Sequence, residues 1–323
     1  MNNNILKKYF CVNLSILPTP IHHLENLSKM FNANIFCKRD DMTGFAFGGN
    51  KTRKLEFLIS DALKKNADTL IGIGGVQSNF CRIASAAGAK YGLDVHLVLG
   101  GSKKPEKATG NLLLDKLFGA KTHFIESDDW NDWEKCAKEL YNSLTKKGKK
   151  VYWMPIGGSS SVGAMGYVKA FYEIVNDCKR MKIDFDYILH ATASAGTQSG
   201  LIVGAQLNNW NGKIIGFGVS KNKKQLQKEI IKLSGEVAKS LGVKIYDKNV
   251  IVDDDFLGEK YGALTNEGIE AVNIFAKQEG IMLDYVYSGK AASGLIGYLR
   301  TKKFKKNVNI IFLHTGGNIH LFK

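Results

Sequence analysis

Proline is scarce in this chain, with 4 in 323 residues, while glycine reaches 34. That excludes a proline-rich linker, and the glycines fall between apolar runs and helical patterns, where turns from strand to helix belong. The five cysteines, Cys11, Cys37, Cys81, Cys136 and Cys178, are odd in number and no pair has C-x-x-C spacing. This excludes a disulfide framework and predicts a reduced, cytoplasmic protein. No apolar run approaches the length of a membrane span, and Asn13 cuts short the stretch Lys7-Lys8-Tyr9-Phe10-Cys11-Val12. Neither a membrane segment nor a signal peptide is expected. The seven histidines form no H-E-x-x-H or similar cluster, so no metal site is expected. Acidic residues are in deficit, 30 Asp+Glu against 45 Lys+Arg, giving a formal charge of +15. The lysines are scattered over helical faces (Lys64-Lys65, Lys146-Lys147, Lys302-Lys303) rather than gathered in a basic arm. A nucleic-acid partner is therefore not expected, although the charge favours anionic small molecules.

What is present is alternation. Short apolar runs over residues 35–38, 68–73, 95–99, 121–125, 187–191, 214–218 and 308–313 read as strands. Helical patterns fall between them, around 83–90 and 112–117, with a polar surface helix over 221–239. Apolar strands alternating with helices predict parallel sheets covered on both faces, an α/β fold. There is no internal repeat and no low-complexity linker, so composition marks no domain boundary.

The segment Gly48-Gly49-Asn50-Lys51-Thr52-Arg53-Lys54-Leu55-Glu56 places a lysine where a flexible loop meets a helix. Leu55, Leu58, Ile59, Ala62 and Leu63 follow at helical spacing, and Asn50 is the expected cap. An ammonium beside the positive end of a helix is disfavoured, which makes Lys51 a candidate for Schiff-base chemistry, since that needs a neutral amine.

Four loops follow predicted strands, at the strand ends where open α/β sheets bind ligands. Gly74-Gly75-Val76-Gln77-Ser78-Asn79 opens a helix rich in small residues, where backbone amides and the Ser78 hydroxyl can hold a carboxylate; Ser78 as a plain helix cap is an equal reading. Ala191-Thr192-Ala193-Ser194-Ala195-Gly196-Thr197 supplies small residues and hydroxyls at another helix start, which suits a phosphate, though without the lysine of a P-loop. Asp284-Tyr285-Val286-Tyr287-Ser288-Gly289 offers the phenol of Tyr287, and His314-Thr315-Gly316-Gly317 offers the Thr315 hydroxyl. A lysine, a phosphate loop, a carboxylate loop and a hydroxyl at a strand end suit pyridoxal 5′-phosphate better than a nicotinamide dinucleotide, since no G-x-G-x-x-G with a downstream acid is present.

Lys38-Arg39-Asp40-Asp41, Gly48 to Glu56, Gly74 to Asn79, Gly280-Ile281-Met282-Leu283-Asp284 and His314 to Gly317 together resemble the family of 1-aminocyclopropane-1-carboxylate deaminase and D-cysteine desulfhydrase. These are fold-type II pyridoxal-phosphate enzymes, similar to the tryptophan synthase β subunit, and the resemblance runs in order from about Leu17 to Phe322. It implies that Lys51 is the Schiff-base lysine, with Asn50 and Asn79 against the cofactor. Ala193, Ser194, Ala195, Gly196 and Thr197 would hold its phosphate, Tyr287 would face its ring, and Thr315 would meet the pyridine nitrogen. Ser78, Asn79, Phe80, Gly158, Tyr261 and Ser288 would surround a small amino-acid substrate, with Lys51, Ser78 and Tyr287 acting in the chemistry.

The resemblance also implies a homodimer and two domains, residues 1–51 plus 166–323 holding the cofactor and 52–165 forming a smaller insert. The implied reaction is α,β-elimination, most closely D-cysteine to pyruvate, sulfide and ammonia. Deamination of the cyclopropane substrate, another amino-acid elimination and β-replacement are the alternatives. Ring-opening members carry a glutamate where this chain has Ser288, and the desulfhydrase branch carries a threonine there, which serine resembles. Thr315 also fits that branch. Phe80 stands where those enzymes carry histidine or glutamine, and it can neither exchange a proton nor donate a hydrogen bond. Intact Lys51, Ser78 and Tyr287 argue against a non-catalytic binding protein.

Overall fold

Asn309–His314 runs Asn-Ile-Ile-Phe-Leu-His, and all but its first residue are buried. Such a strand needs cover on both faces, which a parallel sheet with crossover helices provides. The computed structural model describes residues 10–323, and the reading made at Lys7-Lys8-Tyr9 lies outside the described residues. Ten strands are found there: β1 Ile21–His23, β2 Asn34–Arg39, β3 Thr69–Gly75, β4 Asp94–Gly101, β5 Lys121–Glu126, β6 Val151–Trp153, β7 Tyr187–Thr192, β8 Lys213–Gly218, β9 Ile251–Asp253 and β10 Asn309–His314. They form a six-stranded sheet in the order β1-β2-β10-β7-β8-β9 and a four-stranded sheet in the order β5-β4-β3-β6. Only β1 pairs antiparallel. The α/β expectation holds.

The helices are α1 Glu25–Phe31, α2 Asn50–Lys64, α3 Asn79–Tyr91, α4 Gly110–Leu117, α5 Trp130–Lys146, α6 Ser161–Met181, α7 Gly196–Leu207, α8 Lys223–Leu241, α9 Asn266–Glu279 and α10 Ser288–Arg300. The predicted surface helix is α8, which turns Leu226, Ile230, Leu233, Val237 and Leu241 inward and its lysines outward. None of the five cysteines forms a disulfide. No helix among the described residues is long and apolar enough to cross a membrane.

Helix α2 departs from the sequence reading at its start. Gly49 occupies the cap position and Asn50 is already helical, with no side-chain cap bond. The Asn50 amide instead donates to Thr197 Oγ1 at 3.1 Å, across to the first turn of α7. A local capping rule lost here to a long-range partner.

The same helix is fixed by a buried ionic cluster. The Arg53 guanidinium donates to both Asp40 oxygens, at 2.9 and 2.6 Å, and to Glu173 Oε2 at 3.0 Å. Lys38 pairs with Glu173 at 2.5 Å and with Asp177 at 2.8 Å. Tyr167 donates to Asp40 Oδ2 at 2.5 Å. Burial opposes charge on Glu173, but Arg53 and Lys38 outweigh it and hold the carboxyl down to about 2. The cluster joins β2, α2 and α6, so the first turn of α2 cannot shift without breaking charge pairs out of reach of water. Replacing Arg53 by methionine strips Asp40 of its charge partner and leaves Glu173 with Lys38 alone. We expect a loss of about 3–5 kcal/mol in denaturant unfolding, and a loss under about 1 kcal/mol would contradict this role.

Candidate active site

Strands β3, β7 and β10 end at a cavity between the two sheets, where residues of β3, α2, α3 and α7 converge. The ends of parallel strands face it, as open α/β sheets require. Asn50, Lys51, Ser78, Asn79, Phe80, Thr197, Tyr261, Tyr287 and Thr315 all line it, with the loop Ala193-Ser194-Ala195 closing one side.

Lys51 Nζ has one hydrogen-bond partner, Asn50 Oδ1 at 3.3 Å. Burial, and then the Arg82 charge, lower its pKa to about 8. Lys54 lies deeper, donating to the Gly157 carbonyl at 3.1 Å and to Ser159 Oγ at 3.4 Å. Burial, and then Lys51, keep it well below the ordinary lysine value. Among the described residues, neither lysine is paired with a carboxylate. Lys54 lies against Gly196, where an added Cβ would be 2.9 Å from Lys54 Nζ and 2.8 Å from Ser159 Oγ, and Lys51 lies against Gly157. Two desolvated amines without an anion call for one from outside the chain.

The loop above them is built to take it. The backbone N–H groups of Ala193, Ser194 and Ala195 have no hydrogen-bond partner among the described residues. They precede α7, whose first turn leaves further donors free. Ala195 sits at φ +64°, a conformation glycine adopts without cost, so this loop keeps its shape with alanine in place. Gly157, at φ +63°, fits between Lys51 and Ser194, and a side chain there would overlap Ser194 Oγ. A dianionic phosphate fits this corner, and an aldehyde fits the free amine beside it; together these are the demands of pyridoxal 5′-phosphate.

Ser78 does cap α3: its Oγ accepts from Cys81 N at 3.2 Å. That leaves the hydroxyl proton free, so the cap and the ligand readings coexist. Asn79 is held rather than loose, its Oδ1 accepting from Arg82 at 2.9 Å and from Asn111 at 3.0 Å. Arg82 also donates to the Gly48 carbonyl at 2.8 Å, tying α3 to the loop that carries Lys51. The Tyr261 and Tyr287 hydroxyls share a very short hydrogen bond, and burial raises both phenols.

Three expected residues are not on the cavity wall. Ser288 is turned away, its Oγ donating to Asp284 Oδ1 at 2.6 Å and accepting from Asp284 N at 2.9 Å. As the first residue of α10 it closes a local turn instead of facing a ligand. Gly158 packs beneath Phe80, and its neighbour Gly157 takes the wall position. Gly196 lies behind the loop, its N–H already donated to the Ser194 carbonyl at 2.8 Å. Sequence reasoning missed Lys54, Arg82, Trp130 and Trp133. The signal for Lys54 was its i, i+3 spacing from Lys51 on one helix face; nothing local marked the other three.

The chain matches the family model described as "Pyridoxal-phosphate dependent enzyme" over residues 12–316. It is 40% identical over 314 residues, 97% of this chain and 94% of the other, to a Pyrococcus furiosus protein provisionally named 1-aminocyclopropane-1-carboxylate deaminase. It is 39% identical over 308 residues, 94% of this chain and 92% of the other, to a protein of Yersinia enterocolitica named D-cysteine desulfhydrase. This chain belongs to the 1-aminocyclopropane-1-carboxylate deaminase/D-cysteine desulfhydrase family of pyridoxal-phosphate dependent enzymes. A crystal structure of an "ACC deaminase homologue" superposes with a TM-score of 0.92 at 37% identity, covering 100% of this chain and 97% of that one. A fungal L-serine ammonia-lyase from Rhizomucor miehei shares the fold alone, with TM-score 0.70 at 17% identity over 94% of each chain. Pyridoxal phosphate is the cofactor and the fold is fold-type II, as the sequence reading expected.

Lys51 should be chemically distinct from every surface lysine. In the cofactor-free protein, an amine-directed reagent followed by peptide mapping should label Lys51 with a midpoint near pH 8, against about 10.4 for exposed lysines. Arg82→Gln removes a like charge and should move the midpoint upward. A wild-type midpoint at the exposed-lysine value would contradict the electrostatics.

Proposed function

We propose that this chain is a carbon–sulfur lyase acting by α,β-elimination on a small amino acid, with D-cysteine as its nearest substrate and pyruvate, sulfide and ammonia as products. The observation that carries the reading is the pairing, in one cavity, of an unpaired amine of lowered pKa with an anion-seeking loop. When bound, the cofactor supplies an aldehyde for the substrate amine and an electron sink for the charge left at Cα.

The residues supply the rest. Lys51 Nζ, its pKa lowered to about 8, takes the Cα proton in its neutral form. The Ser78 O–H, free because its oxygen serves the cap, donates to the substrate carboxylate beside the amides that open α3. Asn79, clamped by Arg82 and Asn111, forms part of the cofactor seat, together with Asn50, which Thr197 holds. The loop Ala193-Ser194-Ala195 with Thr197, backed by Lys54, takes the phosphate. In the tyrosine pair one hydroxyl donates to the other, so one O–H proton remains for a leaving group. Thr315, on the cavity wall, would offer the ring nitrogen a hydroxyl and no carboxylate.

The name of the Pyrococcus relative keeps deamination of 1-aminocyclopropane-1-carboxylate as the second reading. The residue after Tyr287 is Ser288, tied to Asp284, and the Asp284 carboxylate is already taken up by the N–H groups of Val286, Tyr287 and Ser288. We further propose that the protein is a homodimer, and that residues 52–165 form the smaller domain around the four-stranded sheet.

The test is a panel of D- and L-cysteine, D- and L-serine and 1-aminocyclopropane-1-carboxylate, with pyruvate, sulfide, 2-oxobutyrate and ammonia all measured. Sulfide and pyruvate in equal amounts from D-cysteine are expected. Lys51→Ala should lose at least about 100-fold in kcat. Turnover of the cyclopropane substrate alone would favour the second reading, and full activity in Lys51→Ala would remove the proposed base.

A further inference from the structure

After β10 the chain makes a short 3-10 turn, Asn318–Phe322, that carries His320 inward until it is only 6% exposed. Neither of its ring nitrogens has a hydrogen-bond partner among the described residues. Every other histidine there has at least one ring nitrogen bonded. The Gln77 carbonyl lies near enough to favour a ring N–H, but it is taken by the Asn111 amide at 2.7 Å. Burying a polar group unpaired costs about 1–3 kcal/mol, so an imidazole with both nitrogens unpaired calls for a task.

The ring it touches is that of Tyr287, edge to face at 83° with centroids 5.7 Å apart. Tyr287 lines the cavity and shares its hydroxyl hydrogen bond with Tyr261. On its other side His320 borders the wide outer cleft, next to Gln77 and Lys323. It therefore joins the tyrosine pair to a surface that water reaches. The charged groups around it are Asp284, Lys323 and Arg82. Asp284 is occupied by the N–H groups of Val286, Tyr287 and Ser288, and Arg82 by Asn79, Asn111 and the Gly48 carbonyl. Lys323 is exposed at the end of the chain. Burial opposes charge on His320; Asp284 favours it, while Lys323 and Arg82 oppose it, and the balance leaves its pKa below the ordinary histidine value. Such a ring is neutral where Lys51 works and quickly gives up any proton it takes on.

We propose that His320 is a positioning residue for proton supply, which recharges the Tyr261–Tyr287 pair from the outer cleft each time the pair protonates a departing sulfide. The inference rests on the elimination reading and adds a residue to it. His320 acts through the tyrosines and touches no substrate. As the Cβ–S bond breaks, its electron pair stays on sulfur and the free O–H of the pair protonates it. The phenolate left behind is disfavoured by burial, which raises both phenols. No direct bond joins the imidazole to either hydroxyl, so the proton crosses from His320 through one bridging water. The imidazole then takes a proton from water in the cleft. Lys51 holds the Cα proton until ammonia carries it off. The sum is D-cysteine and water giving pyruvate, hydrogen sulfide and ammonia, and no oxidant or reductant enters.

The test compares kcat of the holoenzyme and of its His320→Ala and His320→Gln variants on D-cysteine and on β-chloro-D-alanine. Chloride leaves without a proton, so the second substrate reports folding and elimination apart from the proton supply. Turnover of D-cysteine should fall at least about tenfold in both variants, and that of β-chloro-D-alanine by less than about threefold. Added imidazole should restore part of the D-cysteine rate in His320→Ala, and none in His320→Gln, whose side chain fills the place. Equal losses on both substrates would reveal a packing role and overturn the proposal. An unchanged D-cysteine rate in both variants would overturn it too and leave the elimination standing, since Tyr261 at the cleft would then be recharged without His320. Wild-type protein inactive on both substrates would overturn the elimination reading, and the role of His320 with it.

Discussion

Two residues beyond Lys51, the Arg53 guanidinium is buried between Asp40 and Glu173, and that pairing decides where the amine sits. An α-helix of fifteen residues can slide or tilt by fractions of a turn at little cost if only apolar packing holds it. A bidentate ion pair out of reach of water cannot be re-made at another register, and its loss leaves bare charges. The cluster therefore acts as a register pin for α2. Lys51 and Lys54 inherit their positions from it, one facing the cavity and the other lying under the loop before α7.

With α2 fixed, the cavity divides into two chemically opposite halves. On one side, desolvated amines and unpaired backbone N–H groups create a demand for negative charge that none of the described residues satisfies. On the other, indole, phenyl and phenol rings offer contact without charge. An anion held on the first side also relieves the repulsion between the two lysines. Arg82 links the halves mechanically, since it holds Asn79 and Asn111 of the small-sheet side and the Gly48 carbonyl of the large-sheet side. Cofactor binding and substrate positioning thus draw on the same few bonds.

Much of this was legible in the residues. Strand–helix alternation located seven of the ten described strands because buried parallel strands are apolar throughout, and three of the four loops lie at their ends; the Tyr287 loop instead follows helix α9. Lys51 was visible because glycines, a helix start and a lysine coincide only rarely. What failed did so where partners lie far apart in sequence. Asn50 reads as a cap from its neighbours, but Thr197, far along the chain, takes its side chain. Ser288 follows an active tyrosine in the resemblance, yet its position at the start of α10 gives the hydroxyl a closer partner in Asp284. Gly157 and Gly158 both take positive φ, and only packing against Phe80 shows which one faces the cavity. Trp130 and Trp133 look like ordinary core positions of an amphipathic helix until α5 is seen to lie beside β4 and Gly100.

The most direct measurement is borohydride reduction of the pyridoxal-phosphate-loaded protein, followed by proteolysis and mass mapping of the reduced adduct. One adduct per chain on Lys51, absent from Lys51→Ala, is the expected result. An adduct on Lys54 or on a surface lysine, with Lys51 unmodified, would contradict the placement of the reactive amine and the division of the cavity built on it.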